Sequence, residues 1–312
     1  GIGVLAGPPA QAAGGMEGNA AASAATVRYA DGDEEAWPLD NALVDAARAR
    51  ADAKKRSAAG TDAVSRQRPS FLFAGLRTLA YWPRDAFPRS VPALERAAPA
   101  IRAEVLQLLA AVESCPDDAE DGCMGPAASA RWELQQEGLH SGTWHKLELW
   151  ARGECVQENC GAAPCTAAAV MATADAMREA PGRAALSLML PGTRVRPHCG
   201  PTNHRLRLHL PVLLPRGARS SGGLRVAGEE QPWVLDRCLI FDDSFEHEVE
   251  LPAADLAVPL AEIARVVLLV DLWHPDAESA GLREPRPTKR PCLRHDGAPA
   301  EAPTRASCAE EK

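Results

Sequence analysis

The second half of the chain contains a succession of short apolar segments that limits the folds available to it. From Ala184 onward they read ALSLML, TRVRPH, HRLRLHLPVLL, GLRVAG, PWVLD, CLIFDD, EHEVEL and ARVVLLVDLW, separated by glycine, proline and aspartate. Each segment has the length and composition of a β-strand. Eight such segments in a row predict a sandwich or a barrel, because a sheet that closes on itself leaves no exposed edge strand.

One of these segments carries charge in an unusual place. In HRLRLHLPVLL, Arg205, Arg207 and His209 alternate with leucines, so the basic residues share one face of the strand and the leucines share the other. Either the leucines face the core and the basic row is exposed, or the basic row lines the interior of a barrel. In the second case an anion must balance the charges. Because arginine suits bidentate recognition of carboxylates, a dicarboxylate ligand is one hypothesis.

A second polar cluster follows another apolar strand. In CLIFDDSFEHEVEL, Asp242 and Asp243 end the strand, and Glu246 and His247 come next. Together with His198, this places two histidines on neighbouring elements of the predicted β-domain. A single histidine is more often structural than a ligand, but imidazoles with nearby carboxylates are typical of non-haem Fe(II) oxygenases.

The segments before and after the strands differ from them in composition and in predicted structure. Residues 1–68 are rich in alanine, glycine and serine and are predicted to be largely disordered, with one helical piece in PLDNALVDAARARADAKKRS. Helices are predicted in VPALERAAPAIRAEVLQLLAAV and TAAAVMATADAMREA, ahead of a β-barrel that begins at about residue 184. These helices and the barrel form one predicted domain over residues 69–276, mainly β with flanking helices. Residues 277–312 are predicted to be a disordered tail.

Composition excludes some classes of partner. The net charge of −8 argues against nucleic acid, and no apolar run approaches the ~20 residues of a membrane helix. The first residues, GIGVLAGPPAQAAGG, make a poor signal peptide. We expect a soluble, cytoplasmic chain unless a signal or anchor is missing upstream, in which case the secretory lumen is expected. The nine cysteines show no common zinc-ligand spacing.

Three segments together resemble a known family. LPGTRVRPHCGPTNHRLRLHLPVLLP, LIFDDSFEHEVE and VVLLVDLWHPD are similar, in the same order, to the aspartyl/asparaginyl β-hydroxylases, and the similarity spans about residues 71–276. The resemblance implies a double-stranded β-helix, a jelly-roll and cupin-like barrel. It also implies Fe(II) as cofactor, with 2-oxoglutarate and O2 as co-substrates.

The resemblance assigns the metal site residue by residue. His198 and His247 match the two iron ligands of the family. Most related oxygenases have Asp or Glu two residues after the first histidine, where this chain has Gly200, a departure that the family shares. The resemblance implies that Gly200 leaves room for water at the vacant coordination position, and that Asp243 holds that water.

The resemblance also assigns the co-substrate pocket. Arg265 matches the arginine that binds the distal carboxylate of 2-oxoglutarate, helped by Ser187, and Met189 is expected to line the pocket. Arg207 and His209 match positions near the proximal carboxylate or the acid group of the substrate, and Arg205 is expected to meet the substrate at the rim.

The implied function is hydroxylation of an unactivated carbon, namely Cβ of Asp or Asn in a protein or peptide. The lack of a predicted transmembrane segment favours such a partner over the lipid A-type acyl chains that a second branch of the family hydroxylates. The main alternative outside this class is a non-catalytic barrel that binds a small dicarboxylate through its arginines. A cupin-like isomerase or metal-storage barrel is a third interpretation, which the arginines disfavour.

Overall fold

The computed structural model describes residues 24–28, 34–57, 67–114, 130–135, 138–215, 222–253 and 258–283. The helices are α1 (Asn41–Ser57), α2 (Ser90–Ser114), α3 (Gln157–Ala162), α4 (Pro164–Ala172) and α5 (Leu260–Ile263). The first strands are β1 (Ala25–Arg28), β2 (Glu34–Trp37), β3 (Tyr81–Trp82), β4 (Glu133–Leu134), β5 (His140–Ser141), β6 (Trp144–Ala151) and β7 (Glu154–Cys155). The later strands are β8 (Ala184–Met189), β9 (Arg194–His198), β10 (Arg205–Leu213), β11 (Gly223–Val226), β12 (Glu229–Pro232), β13 (Leu239–Phe241), β14 (His247–Glu250) and β15 (Arg265–Trp273).

Two antiparallel sheets are built from the strands after β2. The larger has the order β3-β13-β10-β15-β8-β6-β4, with β7 paired to β6, and the smaller has the order β12-β11-β14-β9-β5. From β8 onward the chain crosses repeatedly from one sheet to the other, with only β11 and β12 consecutive in the same sheet. This winding is the double-stranded β-helix, and the predicted jelly-roll, cupin-like fold is confirmed. The inner faces of the sheets meet in an apolar cluster that includes Met189, Val195 and Val249.

The two faces of β10 have opposite environments. Leu206, Leu208 and Leu210 are fully buried and belong to a core cluster shared with α2. Arg205 and His209 are buried on the other face, towards the smaller sheet. The basic row therefore lines the interior of the barrel, and the leucines pack outward beneath a helix.

Helix α2 covers the outer face of the larger sheet. Its apolar residues recur at steps of three and four and are buried: Val91, Leu94, Ala98, Ile101, Val105 and Leu108. Pro99 lies inside this helix, which runs without interruption from Ser90 to Ser114. Among the described residues, no helix combines the length and the apolar character that crossing a membrane would require.

Two predicted elements differ from the observed ones. The predicted helix in TAAAVMATADAMREA ends early, at Ala172, because the backbone beyond it binds β15: the Met177 N–H donates to the Asp271 carbonyl at 2.8 Å. The predicted strand PWVLD is displaced to β12, since Ala227 and Gly228 have positive φ angles of 52° and 86°. That two-residue turn sets the hairpin register and pairs Val226 with Glu229.

The flanking regions contain more structure than the sequence predicts. Strands β1 and β2 form a hairpin, and Trp37 is fully buried with its ring centroid 4.9 Å from Phe71 and 5.3 Å from His204. The expectation of a largely disordered segment is therefore wrong for these residues, which pack on the following domain. Ala277 and Leu282 are also buried, so ordered structure passes the predicted boundary at residue 276. Residues 1–23 and 284–312 lie outside the described chain.

We expect Ile101→Ala to lower the free energy of unfolding by about 2–5 kcal/mol, because it opens a cavity between α2 and the sheet. Leu106→Ala on the same helix is the matched control, since Leu106 is 38% exposed and should change stability by about 0.5 kcal/mol or less. Urea unfolding of both variants measures the difference. Equal effects would contradict the packing described for α2.

Candidate metal and acid-binding site

His198 and His247 are neighbours across two paired strands. His198 ends β9 and His247 begins β14, and the antiparallel register places them directly opposite each other. Their ring centroids are 4.0 Å apart. Since directly opposed residues point to the same face of a sheet, both imidazoles enter the interior together.

Each imidazole is held in one tautomer by the backbone. Nδ1 of His198 lies 2.9 Å from the carbonyl oxygen of Arg196, and Nδ1 of His247 lies 3.0 Å from that of Phe245. A carbonyl only accepts, so Nδ1 carries the proton and Nε2 keeps a free lone pair. Burial lowers the pKa of His198, and burial together with the charge of His198 lowers the pKa of His247 to about 3. Both rings are therefore neutral near pH 7, the form that binds metals.

Asp243 fills the space beside Gly200. A Cβ added to Gly200 would lie 2.4 Å from Cγ of Asp243 and 2.5 Å from both of its carboxylate oxygens. The room left by the missing side chain is therefore occupied by the Asp243 carboxylate. That a water lies at the vacant coordination position and is held by Asp243 stays a prediction. Oδ1 of Asp243 is buried with no hydrogen-bond partner among the described residues.

Two arginines of the basic row form a closed ion network with two aspartates. Arg205 donates from Nη2 to Asp243 at 2.9 Å and from Nη1 to Asp271. Arg207 donates from Nε to Asp271 at 2.9 Å, and its Nη1 lies 3.4 Å from Asp243. Arg207 and Asp271 are also direct cross-strand partners. The anion that balances these two arginines thus belongs to the protein.

This ion network changes the location expected for Arg205 and adds Asp271 to the site. Arg205 is only 4% exposed, so the expectation that it lies at the rim is wrong. Asp271 was not identified, although an aspartate within the apolar run RVVLLVDLW is the signal that could have found it. Burial favours a raised pKa for Asp243, but the charges of Arg205 and Arg207 outweigh burial and lower the pKa, so this carboxylate is ionised at neutral pH.

Arg265 has no such partner. It is 1% exposed, and its Nε and Nη1 have no hydrogen-bond partner among the residues described. Its guanidinium carbon lies 4.3 Å from the centroid of the Trp233 ring, and burial lowers its pKa to about 9. A buried guanidinium without a carboxylate is costly, and an anionic ligand would relieve that cost.

Ser187 and Met189 line the same part of the interior. Met189 is the cross-strand partner of Arg265, and Ser187, two residues earlier, points to the same face. The Ser187 hydroxyl accepts a hydrogen bond from Nε1 of Trp144 at 3.0 Å. The sequence-predicted pocket residues Arg265, Ser187 and Met189 are therefore brought together.

His209 lies on the inner face of β10, close enough to Arg265 and Arg207 to feel their charges. Its Nδ1 accepts from Nε1 of Trp233 at 3.4 Å, so the neutral ring carries its proton on Nε2. Burial, then the charges of Arg265 and Arg207, hold its pKa well below the usual value. His209 is thus a neutral hydrogen-bond donor.

His198 and His247 are the two nitrogen ligands that the described part of the site offers. Within the described ranges, no three or more His, Cys, Asp or Glu residues form a group that could hold a metal ion. The carboxylate of Asp243 also belongs to the site, and it forms ion pairs with Arg205 and Arg207. The arrangement offers two neutral nitrogen ligands and one ionised carboxylate beside them.

We expect Gly200→Ala to weaken metal binding and to lower the free energy of unfolding by about 1–3 kcal/mol, because the added methyl displaces a carboxylate held by two arginines. Titration with Fe(II) under anaerobic conditions and urea unfolding measure the two effects. Gly161→Ala is the control, since nothing lies within 4 Å of its added Cβ. Wild-type metal affinity and stability in Gly200→Ala would contradict the observed geometry.

Known proteins with similar sequences include two kinds of curated relative. Aspartate beta-hydroxylase domain-containing protein 2 of Rattus norvegicus is 34% identical over 216 residues, covering 69% of this chain and 57% of that protein. Aspartyl/asparaginyl beta-hydroxylase of Homo sapiens is 32% identical over 213 residues, covering 67% of this chain and 24% of that protein. The chain thus spans about half the length of the first of these relatives and about a quarter of the second.

Solved structures give a more distant likeness. A Pseudomonas putida prolyl-4-hydroxylase is 17% identical with a TM-score of 0.32, covering 57% of this chain and 87% of that chain. A 2OG-Fe(II) oxygenase family oxidoreductase from Burkholderia pseudomallei is 15% identical with a TM-score of 0.31, covering 47% of this chain and 74% of that chain.

The family relationship follows from sequence over most of the folded chain. The model of the family described as Aspartyl/Asparaginyl beta-hydroxylase matches residues 95–275, more than half of the chain and the whole of the site described above. The resemblance found in the three segments is thereby confirmed. The chain belongs to the aspartyl/asparaginyl β-hydroxylase family.

Proposed function

We propose that this protein is an Fe(II)- and 2-oxoglutarate-dependent dioxygenase that hydroxylates Cβ of Asp or Asn residues in a protein or peptide. The observation that carries the proposal is the combination of two features in one barrel. A pair of neutral histidines presents Nε2 atoms with free lone pairs, and Arg265 is buried with no partner for its Nε and Nη1 among the described residues.

The donor set fits Fe(II). Two imidazole nitrogens leave open coordination positions, which an oxygenase needs for its co-substrates. The carbonyl groups of Arg196 and Phe245 fix the ring tautomers, which is the usual way in which outer partners orient metal-bound histidines. The unpaired Oδ1 of Asp243 would accept a hydrogen bond from a metal-bound water.

Each residue of the site has one task in this proposal. Bound Fe(II), with 2-oxoglutarate and O2, supplies the oxidising power that converts a C–H bond into C–OH. His198 and His247 hold the metal through Nε2. Arg265 and the Ser187 hydroxyl bind the distal carboxylate of 2-oxoglutarate, and His209 donates from Nε2 to an acid oxygen nearer the metal. Met189 packs against the carbon chain of the co-substrate.

The two remaining arginines have a positioning task. Arg205 forms ion pairs with Asp243 through Nη2 and with Asp271 through Nη1, so it holds the Asp243 carboxylate in place beside the histidines. Arg207 makes the same contacts but is more exposed, at 17% of its side chain, and it is the arginine of this pair that a substrate carboxylate could reach.

We expect His198→Ala and His247→Ala each to abolish 2-oxoglutarate-dependent succinate release and to reduce Fe(II) affinity by more than ~100-fold, since even outer partners of metal ligands cost 10–100-fold. Anaerobic Fe(II) titration and a succinate assay with a peptide panel measure both. His145→Ala is the control, because His145 pairs with Leu188 and lies on the face of β6 that points away from the barrel interior. Near-normal Fe(II) binding in either ligand variant would refute the proposed metal site.

We expect Arg265→Ala to raise the KM for 2-oxoglutarate by roughly 100-fold, because charge-assisted hydrogen bonds contribute about 1.5–3 kcal/mol each. Iron affinity should change little. Arg194→Ala serves as the control, since Arg194 is an exposed arginine whose side chain is 55% accessible. An unchanged KM would show that another group binds the distal carboxylate. Wild-type protein that binds 2-oxoglutarate but never releases succinate would favour the non-catalytic barrel.

A further inference from the structure

A short segment ahead of β3, residues 67–73 and called the strap from here on, contacts two turns of the candidate site. The first turn, residues 199–204, directly follows His198, and the second turn, residues 242–246, directly precedes His247. The strap lies before the residues that the family model matches. Membership of the family therefore does not describe what the strap does at this site.

The strap is bound to the second turn by its backbone and by a buried side chain. Gln67 forms an antiparallel β-bridge with Phe245, and the Arg68 N–H donates to the Ser244 carbonyl at 2.8 Å. The side chain of Gln67, which is 2% exposed, donates from Nε2 to Oδ2 of Asp242 at 2.7 Å. These contacts fix the second turn to the strap.

The same strap is also bound to the first turn. The Phe71 N–H donates to the Pro201 carbonyl at 2.9 Å. The Phe73 N–H donates to Oδ1 of Asn203 at 2.8 Å, and Nδ2 of Asn203 donates to the Phe73 carbonyl at 3.0 Å. One short segment is therefore hydrogen-bonded to both turns that flank the paired histidines.

Asp242 depends on Gln67 for one of its hydrogen bonds. Asp242 is fully buried, and its Oδ1 accepts from the Ser244 N–H at 3.0 Å. Its neighbour Asp243 is held by two arginines, whereas Asp242 forms no ion pair within the described chain. Without the Gln67 amide, Oδ2 of Asp242 would lose its donor. Because an unsatisfied buried acceptor is unfavourable, the second turn would shift towards another donor.

A displaced second turn would carry the metal-site residues with it. Asp243 follows Asp242 directly, and His247 begins β14 at the end of the turn. The Asp243 carbonyl accepts from the Gly200 N–H at 2.5 Å, so a shift of the second turn also disturbs its contact with the first. The hydrogen bond of Gln67 therefore bears on the position of the histidine pair although it is made to neither histidine.

We infer that Gln67 is a positioning residue of the metal site. Through Asp242 it holds the second turn, and with it Asp243 and His247, in register with the first turn. The inference rests on the metal site of the proposed function and deepens it. Removing a partner outside the ligand set lowers metal affinity by about 10–100-fold in known sites. Because Gln67 acts through one further residue, its effect belongs at the lower end of that range.

The first test uses Gln67→Met, which keeps the length of the side chain and removes the donor. We expect Co(II) to bind the full-length variant about tenfold more weakly than the wild type. The visible absorption of bound Co(II), which reports its coordination, should also change. Both are measured well below the unfolding temperature. Ser70→Ala is the matched control, because Ser70 is exposed on the same strap and should leave Co(II) binding unchanged.

The second test exchanges donor and acceptor. In the double variant Gln67→Glu with Asp242→Asn, the new amide donates to the new carboxylate, and its oxygen still accepts from the Ser244 N–H. We expect the Co(II) affinity and the absorption spectrum to return close to those of the wild type. A folded double variant that binds Co(II) as weakly as Gln67→Met would overturn the inference.

Phe71→Leu separates positioning from stability. The Phe71 ring packs on Trp37, with centroids 4.9 Å apart, so this variant should lower Tm and leave Co(II) affinity unchanged. Losses of affinity that simply follow the loss of stability in both strap variants would show that Gln67 is only structural. Wild-type affinity in Gln67→Met would also overturn the inference while leaving the metal site intact. Absence of Co(II) and Fe(II) binding by the wild type would instead refute the proposed metal site and, with it, this inference.

Discussion

The buried ion network of Asp243, Arg205, Arg207 and Asp271 is the interaction on which the site depends. It joins β10 and β15 to the turn that precedes β14, and so fixes the carboxylate of Asp243 beside the paired histidines. Four charged groups removed from water would be unfavourable one by one. The two positive and two negative groups form ion pairs with one another, so their charges balance, and removing any one of them would leave an uncompensated charge.

The network also divides the inner face of the barrel into two functional parts. On one part the positive charges are matched by the protein, and the side chains there hold one another in place. On the other part Arg265 has no carboxylate partner among the described residues. A buried guanidinium without an anionic partner has a free-energy cost. A bound anion would offset that cost, which is the physical reason for proposing Arg265 as the residue that binds the distal carboxylate.

The histidine pair illustrates how the fold assembles a site from distant segments. His198 and His247 are almost fifty residues apart, yet the β9–β14 register makes them direct partners. Their Nδ1 atoms are bound by carbonyl groups of their own strands or turns, so the local backbone sets each tautomer. Gly200 is required for a steric reason: the carboxylate of Asp243 occupies the volume that a side chain there would need.

The sequence by itself determined the strand succession, the two faces of β10 and, through the family resemblance, the residues that gather at the histidine pair and at Arg265. Alternation and motif order are local properties that a single chain displays. Only the tertiary structure decided which charges meet. Arg205 is buried between two aspartates rather than placed at the rim, and Asp271 meets Arg207 through the register of β10 and β15. Trp37 is buried because Phe71 and His204 surround it. Pairings of this kind depend on contacts between distant strands, which no local pattern encodes.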